Sequence, residues 1–192
     1  MATADETPFS DLISRFWTAL GRLALGNLDA ARPPVLVMGD LADRRSTPRL
    51  LATNHLLLAT TLACLEGDRK SGRELGDQGL DMLPLHPLHL GTRASLEFES
   101  GEAAQGEVYL QRVLEVMRRN ETNPQAQFRT SMTIATRARI TGDSDRLEMV
   151  QAAAERVLAE QVVMPFFAIQ ANAALALLAV QKGDGSAAAE HH

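Results

Sequence analysis

The stretch Ala135–Leu147, ATRARITGDSDRL, passes from an apolar helical segment through Gly142-Asp143 into the start of a second apolar segment. Four other places in the chain repeat that arrangement. Gly26-Asn27, Gly67-Asp68, Gly101-Glu102 and Gly183-Asp184 each stand between two helix-like segments, and successive glycines are 41, 34, 41 and 41 residues apart. A recurrence at this period is the sequence mark of a stacked repeat protein.

Aligning the five copies on their glycines brings the flanking positions into register. Seven residues before the glycine stand Ala19, Thr60, Ala94, Ala135 and Ala176, small residues that let two helix backbones approach. Five residues after it stand Ala31, Gly72, Gly106, Leu147 and Ala188, small in four of the five. Fifteen and sixteen after it come Leu41-Ala42, Met82-Leu83, Val116-Met117 and Val157-Leu158, the apolar end of a second helix. The turn has a mechanism. Glycine supplies the left-handed conformation that closes one helix, and the Asn, Asp or Glu that follows caps or electrostatically favours the start of the next.

The spacing therefore predicts an all-α protein: a right-handed superhelix of antiparallel helix pairs, about nine to ten helices, in repeat units of roughly 8–45, 46–84, 85–120, 121–161 and 162–192. One helical-repeat domain is expected to span residues 1–192, as a fragment of a longer protein. In chain order, the first helix runs from Pro8 or Phe9 to about Leu25, with Phe9, Leu12, Ile13, Phe16, Leu20 and Leu23 on one stripe. Pro33 and Pro34 place the next helix late, with Pro33 in its first turn and an end near Asp43, because proline in a helix interior costs about 3 kcal/mol. Residues 47–66 follow, started by Ser46 or Thr47 with Pro48 in the first turn. A helix over 69–83 carries Gly72, Gly76 and Gly79 and is either very closely packed or weak. The remaining helices are expected at 88–100, 103–119, 122–141, 144–161 and 163–182.

Composition excludes several classes. A formal charge of −5, with Lys and Arg scattered along the chain, argues against a nucleic-acid surface. A single cysteine, Cys64, builds no disulfide framework and fits a reducing compartment, so a cytoplasmic location is expected. The apolar run from Val162 to Val180 is alanine-rich and in register with the repeats, which favours a buried repeat helix over a membrane span.

No catalytic constellation and no cofactor motif is found. His86 and His89 have metal-pair spacing, but Pro87 lies between them and no third ligand is near in sequence, so they are assigned to a surface loop. Glu97, Glu99 and Glu102 form a solvated acidic turn on this reading, and the closing His191 and His192 are assigned no ligand role. Thirteen residues before the turn glycines stand Asn54, Arg129 and Gln170, with Ile13 and Leu88 at the other two copies. First helices of helical-hairpin solenoids usually line the concave face, which makes Asn54, Arg129 and Gln170 the candidate groove residues.

The alanine seven before the turn, the Gly-Asp/Asn turn itself and the small residue five after it resemble the tetratricopeptide-like repeats of bacterial regulators. The likeness is to the arrays of LuxR-type ATP-dependent activators and of multidomain signalling proteins, and it extends over residues 8–192. The repeat here is near 41 residues where the tetratricopeptide standard is about 34. The resemblance implies a non-catalytic protein-interaction scaffold whose partner is a protein, a peptide or a neighbouring domain of the same chain. An effector-sensing module that binds a small molecule in the superhelix groove is the alternative it implies. A last expectation concerns the C-terminal helix, which is apolar on nearly every side. Left uncovered, Phe167, Leu175, Leu178 and Val180 would forfeit roughly 6 to 12 kcal/mol, at about 1.5 to 3 kcal/mol each. That predicts either further repeats beyond it or a symmetric homodimer through it.

Overall fold

The computed structural model describes residues 7–42, 49–119, 124–159 and 165–191. Among them the chain is all-α, with ten helices: α1 Thr7–Ala24, α2 Leu28–Ala42, α3 Arg49–Leu65, α4 Arg69–Met82, α5 Pro87–Glu99, α6 Ala103–Arg119, α7 Pro124–Thr141, α8 Leu147–Leu158, α9 Pro165–Gln181 and α10 Gly185–Glu190. Contacts divide the chain into two compact units, Met1–His89 and Leu90–His192. The predicted start of α3 at Ser46, Thr47 and Pro48 lies outside the described residues.

All five turn glycines have left-handed φ, between 69° and 84°. Four of the turns share one hydrogen-bond pattern. The amide after the glycine donates back five residues, Asn27 to Arg22, Asp68 to Ala63, Glu102 to Glu97 and Asp184 to Ala179, each at 2.9 Å, while the glycine amide donates back three. This double closure satisfies carbonyls that the ending helix leaves without partners. Three of the residues after the glycine then cap the next helix: Asn27 accepts from the Ala30 amide, Asp68 from Ser71 and Asp184 from Ala187. The side-chain bond from Ser71, with its backbone amide, holds the Asp68 carboxyl below its ordinary range.

Gly142 closes α7 differently, with a single bond from its amide to the Ala138 carbonyl at 3.0 Å. Asp143 accepts from the amide of Asp145 at 2.9 Å, and its carboxylate also pairs with Arg137. It is thereby drawn away from the following helix. Arg146 takes a left-handed conformation, φ 69°, and α8 begins at Leu147, three residues later than the expected 144.

In the first unit, α1, α2 and α3 pack around Leu12, Leu23, Val35, Met38, Leu58 and Leu62. The expected late start of α2 is corrected. The cap at Asn27 starts the helix at Leu28 and leaves Pro33 and Pro34 in its interior. Ala31, Val35, Met38 and Leu41 form one buried stripe, and burying the three larger side chains contributes about 1.5 to 3 kcal/mol each. That gain, together with the cap, outweighs the two lost helix bonds. In α4 the glycines mark close packing, since Gly72, Gly76 and Gly79 are all buried. A Cβ on Gly79 would stand 2.4 Å from Nδ1 of His89, and one on Gly39 would stand 2.9 Å from Nε2 of His55. Both histidines stand twelve residues before a turn glycine. They are therefore equivalent rings, each set into a glycine gap on the preceding helix.

In the second unit, α7 packs on α6, α8 and α9, and α9 packs on α8 and α10. Small residues sit where the register puts them: Ala94, Ala135 and Gly106 are buried, and a Cβ on Gly106 would meet the Phe98 ring at 2.8 Å. Two expectations fail here. Glu97 is not part of a solvated turn, because it is buried and paired with Arg93 one helical turn earlier, and the Arg93 guanidinium lies 4.9 Å from the Tyr109 ring centroid. Nor are Leu175 and Leu178 uncovered. Both are buried, and α9 packs against both α8 and the short α10. Among the described side chains of α9, Val180, at 64% exposure, and Ile169, at 59%, are the large apolar ones presented to solvent, while those of Phe166 and Phe167 lie outside the described ones.

Candidate functional site

The second unit holds an open groove of about 750 Å³ between α6 and α8. Its α6 wall is Gln111, Leu114, Met117 and Arg118, and the other wall is Arg146, which precedes α8, with Met149, Ala152, Ala153 and Arg156 on α8. Each helix carries two stripes. On α8, Val150, Ala154 and Val157 are buried, while Met149, Ala152, Ala153 and Arg156, at spacings of three, one and three, turn to the groove. On α6, Tyr109, Leu110, Val113 and Val116 are buried, and Leu114 and Met117 lie on the other stripe. The result is an apolar floor with arginines at its edges. Three cations line the groove and, among the described residues that line it, there is no Asp or Glu.

The edge nearest the Gly142 turn is fixed by a charge network. Glu107 on α6 accepts from Gln111 at 2.6 Å and from Arg146 at 3.0 Å, and lies 3.0 Å from Nε of Arg137. Arg137 also holds Asp143. Partial burial opposes ionisation of Glu107, but the bonds from Gln111 and Arg146 and the charges of Arg146 and Arg137 outweigh it and hold the carboxyl below its ordinary range. The Asp145 amide, and then Arg137, lower Asp143 in the same direction. Nη1 of Arg137 is buried without a hydrogen-bond partner. Arg146 is the described non-glycine residue with positive φ, a conformation that costs roughly 1–2 kcal/mol and persists only where surrounding bonds impose it. Its bond to Glu107 is one such restraint. It places a guanidinium at the mouth of the groove.

The residues nominated from the sequence fall elsewhere. Asn54 is half-buried on α3 of the first unit, and Gln170 is half-buried on α9 of the second. Arg129 belongs to α7, and its side chain lies outside those described. His86 and His89 do not form the expected surface loop. His89 is buried, and His86 is half-buried with its ring 5.2 Å from that of His89. Nδ1 of His86 has no hydrogen-bond partner, and burial lowers its pKa below the ordinary value of 6.5. Among the described residues no group of three or more His, Cys, Asp or Glu is placed to hold a metal ion.

Sequence reasoning missed the groove because Arg118, Arg146 and Arg156 are separated by 28 and 10 residues and look scattered along the chain. The signal that could have found it is the second apolar stripe on α6 and α8, unused by the core and ending in arginine on both. Among the described residues no helix is long and apolar enough to cross a membrane. Comparison of the chain with protein-family models, with curated proteins and with solved structures finds no match in any of the three.

Proposed function

We propose that this chain is a non-catalytic protein-interaction scaffold whose helix pairs belong to a right-handed tetratricopeptide-like superhelix, of the kind found in bacterial regulatory and signalling proteins. The recurring left-handed glycine turns and the small residues around them support the repeat reading. The observation that carries the functional reading is the groove between α6 and α8. It presents an apolar floor with arginines at its edges and no acid among its lining residues, the form of surface that receives a segment of a partner.

The test is direct. The purified 192-residue chain is used to capture partners from lysate of its host. Each captured protein is then purified and titrated back by calorimetry, alongside a thermal-shift screen of sugars, amino acids and nucleotides. A stoichiometric, saturable complex with a purified protein and a flat compound screen are expected. A saturable rise in unfolding temperature with one compound, and no reconstituted protein complex, would replace the scaffold with an effector sensor.

A further inference from the structure

We propose that the α6–α8 groove takes one amphipathic helix of a partner protein, apolar on the inserted face and bordered by aspartate or glutamate; this rests on the scaffold reading above. Charge selects the occupant. The chain as a whole is acidic, with a formal net charge of −5, yet the groove lining holds three arginines and no acid among the described residues. Glu107, the acid at its edge, is already shared between Arg137 and Arg146. Arg118 on one wall and Arg156 on the other are exposed, so an inserted helix would have a guanidinium on each flank. Guanidinium forks match carboxylates with two parallel hydrogen bonds.

The floor selects an apolar stripe over a small anion. Leu114, Met117, Met149, Ala152 and Ala153 offer no hydrogen-bonding side chain, and Met149 is 41% exposed. Methionines adapt to irregular partners, and helix-in-groove recognition reads apolar residues at i, i+3, i+4 and i+7. A bilayer surface fits less well. The chain's formal net charge of −5 opposes approach to anionic lipid.

Fluorescence anisotropy of the full chain tests the assignment with a synthetic fluorescein-labelled helical peptide. The peptide carries leucines at i, i+3, i+4 and i+7 with glutamates on both flanks, and its control has lysines in place of the glutamates. Vesicles containing phosphatidylserine and free inorganic phosphate complete the set of probes. Expected is saturable binding of the acidic peptide, weakened by added salt, with none of the lysine peptide. Arg118→Glu combined with Arg156→Glu should weaken it at least about tenfold. Met149→Asp should do the same, and either variant should keep the parent's helical circular dichroism spectrum because these side chains are exposed. Equal affinity for both peptides, or no response to charge reversal and Met149→Asp, overturns the proposal. So does vesicle or phosphate binding that the variants abolish while the peptide fails to bind. A captured partner that binds the charge-reversed variant as well as the parent would leave the scaffold reading standing and remove the groove from it.

Discussion

Two helical glycines of the first unit are expected to answer the same substitution with opposite signs. Gly21 on α1 has nothing within 4 Å of the Cβ an alanine would add, so Gly21→Ala should stabilise by roughly 0.5 to 1 kcal/mol through lower unfolded-chain entropy and better helix propensity. At Gly79 the new Cβ would stand 2.4 Å from Nδ1 and 2.5 Å from Cε1 of the buried His89 ring. Overpacking of this kind costs about 1 to 3 kcal/mol. Urea unfolding followed by the single tryptophan, Trp17, reads both. A Gly79→Ala protein as stable as its parent would show that the ring is not confined by the glycine.

Among the elements, α2 and α8 depart most from expectation, and each departure has a local cause. In α2 the prolines remove the amides that would bond Asp29 and Ala30, yet Asn27 caps the helix ahead of them. Pro33 is exposed, so Pro33→Ala should stabilise by about 2 kcal/mol: the roughly 3 kcal/mol helix penalty, less up to about 1 kcal/mol for a looser unfolded chain. An unchanged or lower urea midpoint would mean that those carbonyls are satisfied elsewhere. Helix positions were legible because a left-handed glycine and an acid or amide after it impose a stop and a start within a few residues. The late start of α8 was foreshadowed by Leu147, the large exception in an otherwise small column. Burial of Glu97 was foreshadowed by Arg93 four residues earlier, a spacing that pairs charges on one helix face. The groove was not legible in the same way, because its arginines meet only through the packing of two helices on α7.

At the scale of the molecule, His86 and the carboxylates Glu107, Asp68 and Asp143 make stability depend on pH in separate windows. His86 is held neutral by burial, below its ordinary value of 6.5, so below that pH the unfolded chain takes up a proton that the folded chain does not. Its share of stability is complete above 6.5 and declines as pH falls from there. Glu107 is held ionised below its ordinary 4.5. Its share is complete above that value and is lost only as pH falls through the lower folded value. Urea midpoints measured by circular dichroism should therefore fall in two stages on acidification. His86→Leu should flatten the first stage and leave the second, while Glu107→Gln should leave the first and lessen the second, to which Asp68 and Asp143 also contribute. A pH profile unaltered by either substitution would remove both groups as its source.

The rings set into glycines in the first unit have a consequence for recombination. Gly39 and His55, like Gly79 and His89, belong to successive helices, so each contact is a matched socket and plug supplied by two different elements. A chimaera that transplants α4 from a donor with alanine or a larger residue at position 79, while keeping α5 of this chain, inherits a blocked socket. One that moves both halves together keeps the joint, which makes the glycine and its ring the smallest exchangeable unit of this seam.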